Sequence, residues 1–400
     1  MAYIIPLIKN PFFKNLITKR MLAEFVSTTN TFSMNLNCAR FEDKFSDFQK
    51  RKYTILFNSG SSANFALVQA LLNLDILKPS DNIGFTSIGW PTTVMPLIQL
   101  GLTPVQLDID LKCLNSTLET IHKVSSELKF KGEKLKAIFI TNVLGSCGDI
   151  ESIKKHCQKN NILLLEDNCE ALGSEYKKTK LGNFGFASTF SFFVGHHFSC
   201  IEGGAVCTDD KKLSDMLTMV RSHGWDRNLD HKCQRKLRKQ YKVSDFDAKY
   251  TFYTIGMNIR PTEITGFLGL TQLKYLNKII KRRYENYQLY LDAVSKKIDK
   301  ILNVYQNRNL TINSNFAFPL IFKEKKQTEE AKKIFFNSGI EIRPIIGRNL
   351  TEQPFFKKNK KYNFQVPNAQ LASRHGFYFG NDPSFTKNEL NHIINAINKI

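Results

Sequence analysis

Two adjacent histidines, His196 and His197, stand in the stretch Phe190-Ser-Phe-Phe-Val-Gly-His-His-Phe-Ser-Cys-Ile-Glu-Gly-Gly204. The stretch opens as an apolar strand over 187–193, rich in the aromatic residues strands favour. It breaks at Gly195, presents the pair, breaks again at Gly203-Gly204, and starts a second strand over 205–208. An imidazole exchanges protons near neutral pH, its unperturbed pKa being about 6.5. A glycine-bounded turn at a strand end can aim such a group into a crevice, although the same residues would also serve as plain polar turn residues. Two further carboxylates, Glu166 and Asp167, end the apolar run that begins at Ile162. A third feature is the small turn Asn58-Ser-Gly-Ser-Ser-Ala63 between a strand and a helix. Free N–H groups at a helix start suit an anion such as a phosphate. The turn lacks the Gly-Lys-Ser/Thr ending of a Walker loop and the three glycines of a dinucleotide fingerprint. Simple helix capping by Ser59 is the competing reading.

The elements that must position these groups alternate. Strands are predicted at 53–57, 82–86, 101–110, 137–141, 162–167, 187–193 and 205–208, with helices at 64–74, 94–100, 150–159 and 211–222. Short apolar strands separated by helices argue for a mostly parallel sheet, with ligands beyond the carboxyl ends of its strands. Asp167, His196 and the 58–63 turn all fall at such ends. Residues 227–250 read as a polar loop and 261–294 as one long helix whose basic segment, Lys278 to Arg283, reads as a solvated face. A smaller α+β unit follows, with strands near 314–320 and 340–344 and a last helix at 387–400. This gives a large domain over 1–295 and a small one over 296–400.

Composition narrows the function. The 400 residues are 42% hydrophobic, ordinary for a soluble globular protein. No apolar run reaches the roughly 18 residues of a membrane span, and the amino-terminal segment does not read as a signal peptide. The eight cysteines are scattered and form no Cys-x-x-Cys pair. That pattern suits reduced thiols in a cytoplasmic protein with no metal site. The net charge of +21 is spread along the chain without a recognition motif. No nucleic-acid partner is expected, whereas a basic surface can draw in an anionic substrate.

In order and spacing, the motifs resemble the DegT-type nucleotide-sugar aminotransferases, a branch of the fold type I pyridoxal-phosphate enzymes. The matching pieces are Ser59-Gly-Ser-Ser-Ala63, Trp90 with Thr92-Thr93, Glu166-Asp-Asn-Cys-Glu-Ala171, Gly182-Asn-Phe-Gly185, Phe190-Ser-Phe192, Glu202-Gly-Gly-Ala205, Arg221-Ser-His-Gly224 and Gly256-Met-Asn-Ile-Arg-Pro261. The resemblance runs from Phe41-Glu42 to Gly380-Asn381. It implies an α/β fold, a mostly parallel sheet sandwiched by helices, with a smaller C-terminal α+β domain. It also implies that Gly60 and Ser61 bind the phosphate of pyridoxal or pyridoxamine 5'-phosphate, with Ser191 as a second contact. Asn258 would reach the phosphate in the neighbouring subunit's site, making a homodimer with shared active sites. Trp90 would stack on the pyridine ring and Asp167 pair with its nitrogen. Glu170 falls where the family has Gln beside the phenolic oxygen, so an acid there must be protonated or turned away.

One departure decides the chemistry. Family aminotransferases carry a lysine after Phe-Ser-Phe-x-x-x and hold the cofactor covalently through it; here that position is His196. Imidazole cannot form that bond, so the cofactor is expected to be held non-covalently and His196 to be the catalytic proton carrier. This change resembles the sugar 3-dehydratases within the family. One kind of these uses a [2Fe–2S] cluster, which needs four thiolates. Only Cys233 follows the His223-Gly-Trp-Asp-Arg227 region, and Cys200 and Cys207 read as buried thiols. The kind without an iron–sulfur cluster is therefore expected. The resemblance then implies loss of the 3-hydroxyl from a nucleotide-linked 4-keto-6-deoxyhexose, GDP-4-keto-6-deoxy-D-mannose first of all. L-glutamate would be the amino donor, and 2-oxoglutarate and ammonia would be released, in deoxysugar synthesis for a surface polysaccharide. An aminotransferase working with His, or a silent family member, are the alternatives. Arg221, His223, Arg343 and His375 are candidates for gripping the sugar or its phosphates. His197 should face away from His196, as neighbours in an extended segment do.

Overall fold

In a computed structural model, residues 4–302 and 309–400 are described. The seven apolar runs pair into one sheet. Its strands are β1 (Tyr53–Phe57), β2 (Asn82–Thr86), β3 (Thr103–Leu107), β4 (Leu135–Thr141), β5 (Leu163–Asp167), β6 (Ala187–Ser191) and β7 (Gly204–Thr208). They lie in the order β1-β7-β6-β5-β4-β2-β3. Every pair from β6 across to β3 is parallel, and β7 runs antiparallel to both its neighbours. The strands are near-continuously buried because helices cover both faces, as parallel sheets require. On one face, Ala63, Leu67 and Leu71 of Gly60–Asn73 and Leu213, Leu217 and Val220 pack on Phe57, Phe139, Leu165 and Val206. On the other, Phe41 and Phe45 of Leu36–Gln49 meet Leu56 and Phe190, while Ile121, Leu128, Ile150 and Ile153 meet Val105, Ile138 and Ile140.

A second, antiparallel sheet places Gly376–Gly380 between Ala317–Ile321 and Ile342–Pro344. Its Phe318, Phe377 and Phe379 share a core with Phe335, Tyr290, Leu291 and Val294. The helix expected over 261–294 is two helices, Glu263–Leu273 and Leu276–Ser295, because its halves have different partners. The first lies against Leu36–Gln49 so closely that a Cβ on Gly269 would be 2.3 Å from Phe41 Cε1. The second carries Tyr290 and Val294 into the core of the small sheet. The expected 227–250 loop contains a helix, His231–Tyr241, capped by Asp230 on the Cys233 N–H at 2.9 Å. None of its residues is fully buried, and its apolar stripe is only Cys233, Leu237 and Tyr241 among charged helix formers. Residues before the first helix form a strap across the small sheet. Ile5 pairs with Ile340, the Leu7 N–H donates to Glu341 at 3.0 Å, and the Lys9 N–H to Asp382 at 3.0 Å. Among the described residues no helix is long and apolar enough to cross a membrane.

The end of β1, the Ser59-Gly60 turn and the start of β7 meet at Gly204. A Cβ there would lie 2.2 Å from Ser59 O and 2.5 Å from Gly60 N, and backbone cannot give way as a side chain can. The Gly204→Ala variant is expected to lose about 2 kcal/mol or more of stability in urea unfolding. Gly203→Ala, whose Cβ would meet only side chains, the nearest Thr265 at 3.0 Å, should lose clearly less.

Candidate active site

A cleft of about 410 Å³ opens beyond the C-terminal ends of β5 and β6, where ligands bind in open α/β sheets. Because β6 runs toward the cleft and β7 away from it, the loop between them begins and ends there. Its base is fixed by Phe192 N–H to Gly203 O at 2.9 Å and Cys200 N–H to Phe192 O at 2.8 Å. His196 sits half-buried in this loop, its ring edge-on to Phe316 with centroids 5.3 Å apart. Its Nδ1 is enclosed and has no hydrogen-bond partner among the described residues. Burial pushes its pKa down to about 4, with the Asp167 charge opposing and the Arg283 charge adding. The imidazole is therefore a free base throughout the neutral range. His197 is turned away, as expected: it is buried, and its Nε2 donates to Ser314 O at 2.6 Å.

The two carboxylates at the end of β5 face opposite ways, as alternate strand residues must. Glu166 accepts from the Gly182, Phe184 and Gly185 N–H groups at 2.8, 2.8 and 2.7 Å and is wholly structural. Asp167 faces the cleft. Its Oδ2 accepts from Thr93 Oγ1 at 2.7 Å and Asn64 Nδ2 at 2.9 Å, and its Oδ1 from the Cys169 N–H at 3.0 Å. Neither Thr93 nor Asn64 was singled out in the sequence, though Thr93 lies in the quoted Trp90 motif.

At the other end of the cleft lie Gly60 and Ser61, the first residues of helix Gly60–Asn73, whose leading N–H groups a helix leaves unpaired. Ser59 caps this helix through the Ser62 N–H at 3.0 Å, so the capping and anion-site readings coexist. A Cβ on Gly60 would lie 2.6 Å from Ser191 Cβ, so only glycine lets the turn close on Ser191. Trp90 lines the cleft and is 55% exposed, leaving a ring face free for stacking. Glu170 Oε2 accepts from the Leu144 N–H at 2.9 Å, while its buried Oε1 has no partner among the described residues. Burial, helped by the Asp167 charge and opposed by the Leu144 bond, pushes its pKa up to about 8. At neutral pH Glu170 is an acid with a proton to donate, as an amide would. These features fit pyridoxal phosphate: a helix start and hydroxyls for the phosphate, a ring face, a carboxylate, and an orphaned donor. Among the described residues no lysine lines the cleft.

Four expected contacts are elsewhere. Arg221 is buried in an ion pair with Glu42 and also donates to Leu56 O at 2.9 Å, so it braces β1 instead of gripping a sugar. His223 lies outside the cleft lining, edge-on to Trp225 at 5.5 Å. Arg343 and His375 line a separate concavity of about 690 Å³ with Lys325, Arg348 and Arg374. Ile346, between Arg343 and Arg348 in the chain, lines the cleft. Asn258 is exposed, outside this cleft, and accepts from Arg260 at 2.9 Å. Leu7 and Ile8 of the strap, Phe316 and Tyr378 line the cleft and were not anticipated.

The DegT/DnrJ/EryC1/StrS aminotransferase family model matches residues 17–398. The chain belongs to this family. Its relatives include the GDP-4-keto-6-deoxy-D-mannose 3-dehydratase of Yersinia pseudotuberculosis, 32% identical over 93% of each chain. Among solved structures, a GDP-4-keto-6-deoxymannose 3-dehydratase variant with bound GDP-perosamine is 29% identical, with a TM-score of 0.87 over 98% of this chain and 100% of that one. The same enzyme with a trapped PLP–glutamate geminal diamine is 30% identical, with a TM-score of 0.86 over 98% and 100%. The DegT/DnrJ/EryC1/StrS family is pyridoxal-phosphate-dependent, and the cofactor of this member is pyridoxal phosphate.

The Glu170 shift has a sign that can be measured. A carboxyl raised from about 4.5 unfolded to about 8 folded favours the folded state less as pH rises between those values. In cofactor-free protein, the melting temperature of wild type should fall relative to Glu170→Gln from pH 5 to pH 8. Parallel curves would show that Glu170 is not held as the neutral acid.

Proposed function

We propose that the protein is a 3-dehydratase of nucleotide-linked 4-keto-6-deoxyhexoses, with GDP-4-keto-6-deoxy-D-mannose as substrate and L-glutamate as amino donor. The observation that carries this is a free-base histidine, with no lysine lining the cleft, in a site otherwise fitted to pyridoxal phosphate. The 32% identical relative is named for that reaction, and the structural neighbours bind a GDP-sugar and a PLP–glutamate adduct.

The residues divide the work. Gly60, Ser61 and Ser191 would hold the phosphate, Trp90 the ring face, and Glu170 the phenolic oxygen as a hydrogen-bond donor. When bound, the cofactor supplies an electron sink for bonds breaking beside its ring. Asp167, fixed by Thr93 and Asn64, would keep the ring nitrogen protonated and so strengthen that sink. His196 accepts the proton that must leave before the 3-hydroxyl can be expelled, and can do so because it is uncharged. The balance closes without an outside reductant. The sugar exchanges its carbon–oxygen bond at carbon 3 for carbon–hydrogen, a gain of two electrons. Oxidising glutamate to 2-oxoglutarate and ammonia supplies that pair and takes up the oxygen. Arg343, with Lys325, Arg348 and Arg374 in the outer concavity, would attract the diphosphate. A second copy of the chain would cover the exposed Phe252, Ile255 and Met257, and Asn258 among them would reach the copy's phosphate.

Purified protein given glutamate and the 4-keto-6-deoxysugar nucleotide should form one 2-oxoglutarate and one ammonia per 3-deoxysugar, with chelator present and no reductase. His196→Asn should lower kcat by about 100-fold or more while still binding cofactor. An amino sugar in place of ammonia would assign the transaminase reading instead. Borohydride should fix no cofactor to wild-type protein, and a stable adduct would contradict the non-covalent site.

A further inference from the structure

Arg283 lies on helix Leu276–Ser295 within the basic run that reads as a solvated face, yet it is only 5% exposed. Its guanidinium meets backbone carbonyls. Nη1 donates to Asn381 O, and Nη2 to His196 O at 3.2 Å and, more weakly, to His197 O at 3.5 Å. Asn381 returns the contact, its Nδ2 donating to Arg283 O at 2.9 Å and Asn315 Oδ1 at 2.6 Å. Among the described ion pairs Arg283 has none, and its Nε is buried without a partner. Burying a cation without a paired carboxylate costs several kcal/mol, a cost that plain packing does not require. Burial brings its pKa down to about 10, with Asp382 opposing, so it stays charged at neutral pH.

We infer that Arg283 is the positioning residue of the histidine loop: its planar fork ties the His196 and His197 carbonyls to Asn381 of the small sheet's border and sets a fixed positive charge behind the His196 ring. A lysine could supply the charge but not the fork. The charge acts beside other groups facing His196. Asp167 comes from the end of β5, Glu170 from the segment after it, Glu202 from the approach to β7, and Tyr378 from the small sheet. His197 adjoins it in the loop, and Asp382 lies behind the arginine. Of these, Asp167 favours the imidazolium, and burial and Arg283 disfavour it. Burial is the largest of these effects, and Arg283 adds to it against the carboxylate that the cofactor ring requires, so the base stays free although an acid lies close by.

The inference rests on the proton-transfer role proposed for His196, but its test reads cofactor-free protein and stands whatever sugar is used. Histidine-labelled protein is titrated by NMR, with His196→Asn assigning the resonance. Arg283→Met should raise the His196 pKa by about one unit or more, whereas Arg283→Lys should leave it near the wild-type value. In the loaded enzyme Arg283→Lys should lower kcat about 10-fold or more with KM little changed, because the loop loses its fork. An unmoved His196 titration in Arg283→Met would overturn the inference. Should that variant not fold, Arg283→Lys decides alone: unchanged kcat overturns the positioning role, and lowered kcat with the low titration kept supports it.

Discussion

Two consecutive carboxylates buried at one strand end set the terms for everything around them. A buried carboxylate without donors costs several kcal/mol, so each of these must gather its own. Glu166 gathers the N–H groups of the 182–185 turn, which fixes how the chain passes from β5 to β6. Asp167 gathers Asn64 from helix Gly60–Asn73, Thr93 from the Trp90 loop and the N–H of Cys169. Two distant stretches are thereby brought to the segment that carries the carboxylate, and together they would surround a cofactor.

Burial then acts in opposite directions on the groups the cleft contains. It raises the Glu170 acid and lowers the His196 base, so both are uncharged near neutrality. A neutral acid can donate a hydrogen bond and a neutral imidazole can accept a proton. The apolar wall that produces this, Leu7, Ile8, Phe193, Phe316 and Ile346, comes largely from outside the large sheet. The strap and the small sheet thus set the acid–base character of residues carried by β5 and the β6–β7 loop.

Much of this was legible in the chain. The seven strands of the large sheet have short apolar runs bounded by turns, and every one was readable. The cofactor-side residues His196, Asp167, Glu170, Ser191, Trp90, Gly60 and Ser61 do line one cleft. The failures share a cause: they depend on partners distant in sequence. Lys274-Tyr275 carries no glycine or proline, so nothing local marks the break between the two helices that follow Pro261. The Gly376–Gly380 strand is five residues long and directly follows a helix, so its place at the centre of the small sheet had no periodic signal. In the sequence Arg221 reads as a sugar or phosphate contact and Arg283 as a surface cation. One answers the half-buried Glu42 and the other a convergence of carbonyls, neither of which a linear pattern contains. His375, likewise, is directed to Lys323 O and the outer concavity by its helix end.

The single antiparallel strand in the large sheet has a consequence for how such a protein can change. Since β7 returns directly alongside β6, the loop they enclose is a hairpin tip, and no crossover helix hangs from it. The residue at position 196 can therefore be exchanged without altering the path of any strand or the pairing of the sheet. Whether the tip carries an amine that captures the cofactor or an imidazole that leaves it free is a choice made at one codon. The scaffold that surrounds it serves both, and new reaction types on this framework would be sought first among substitutions in that tip.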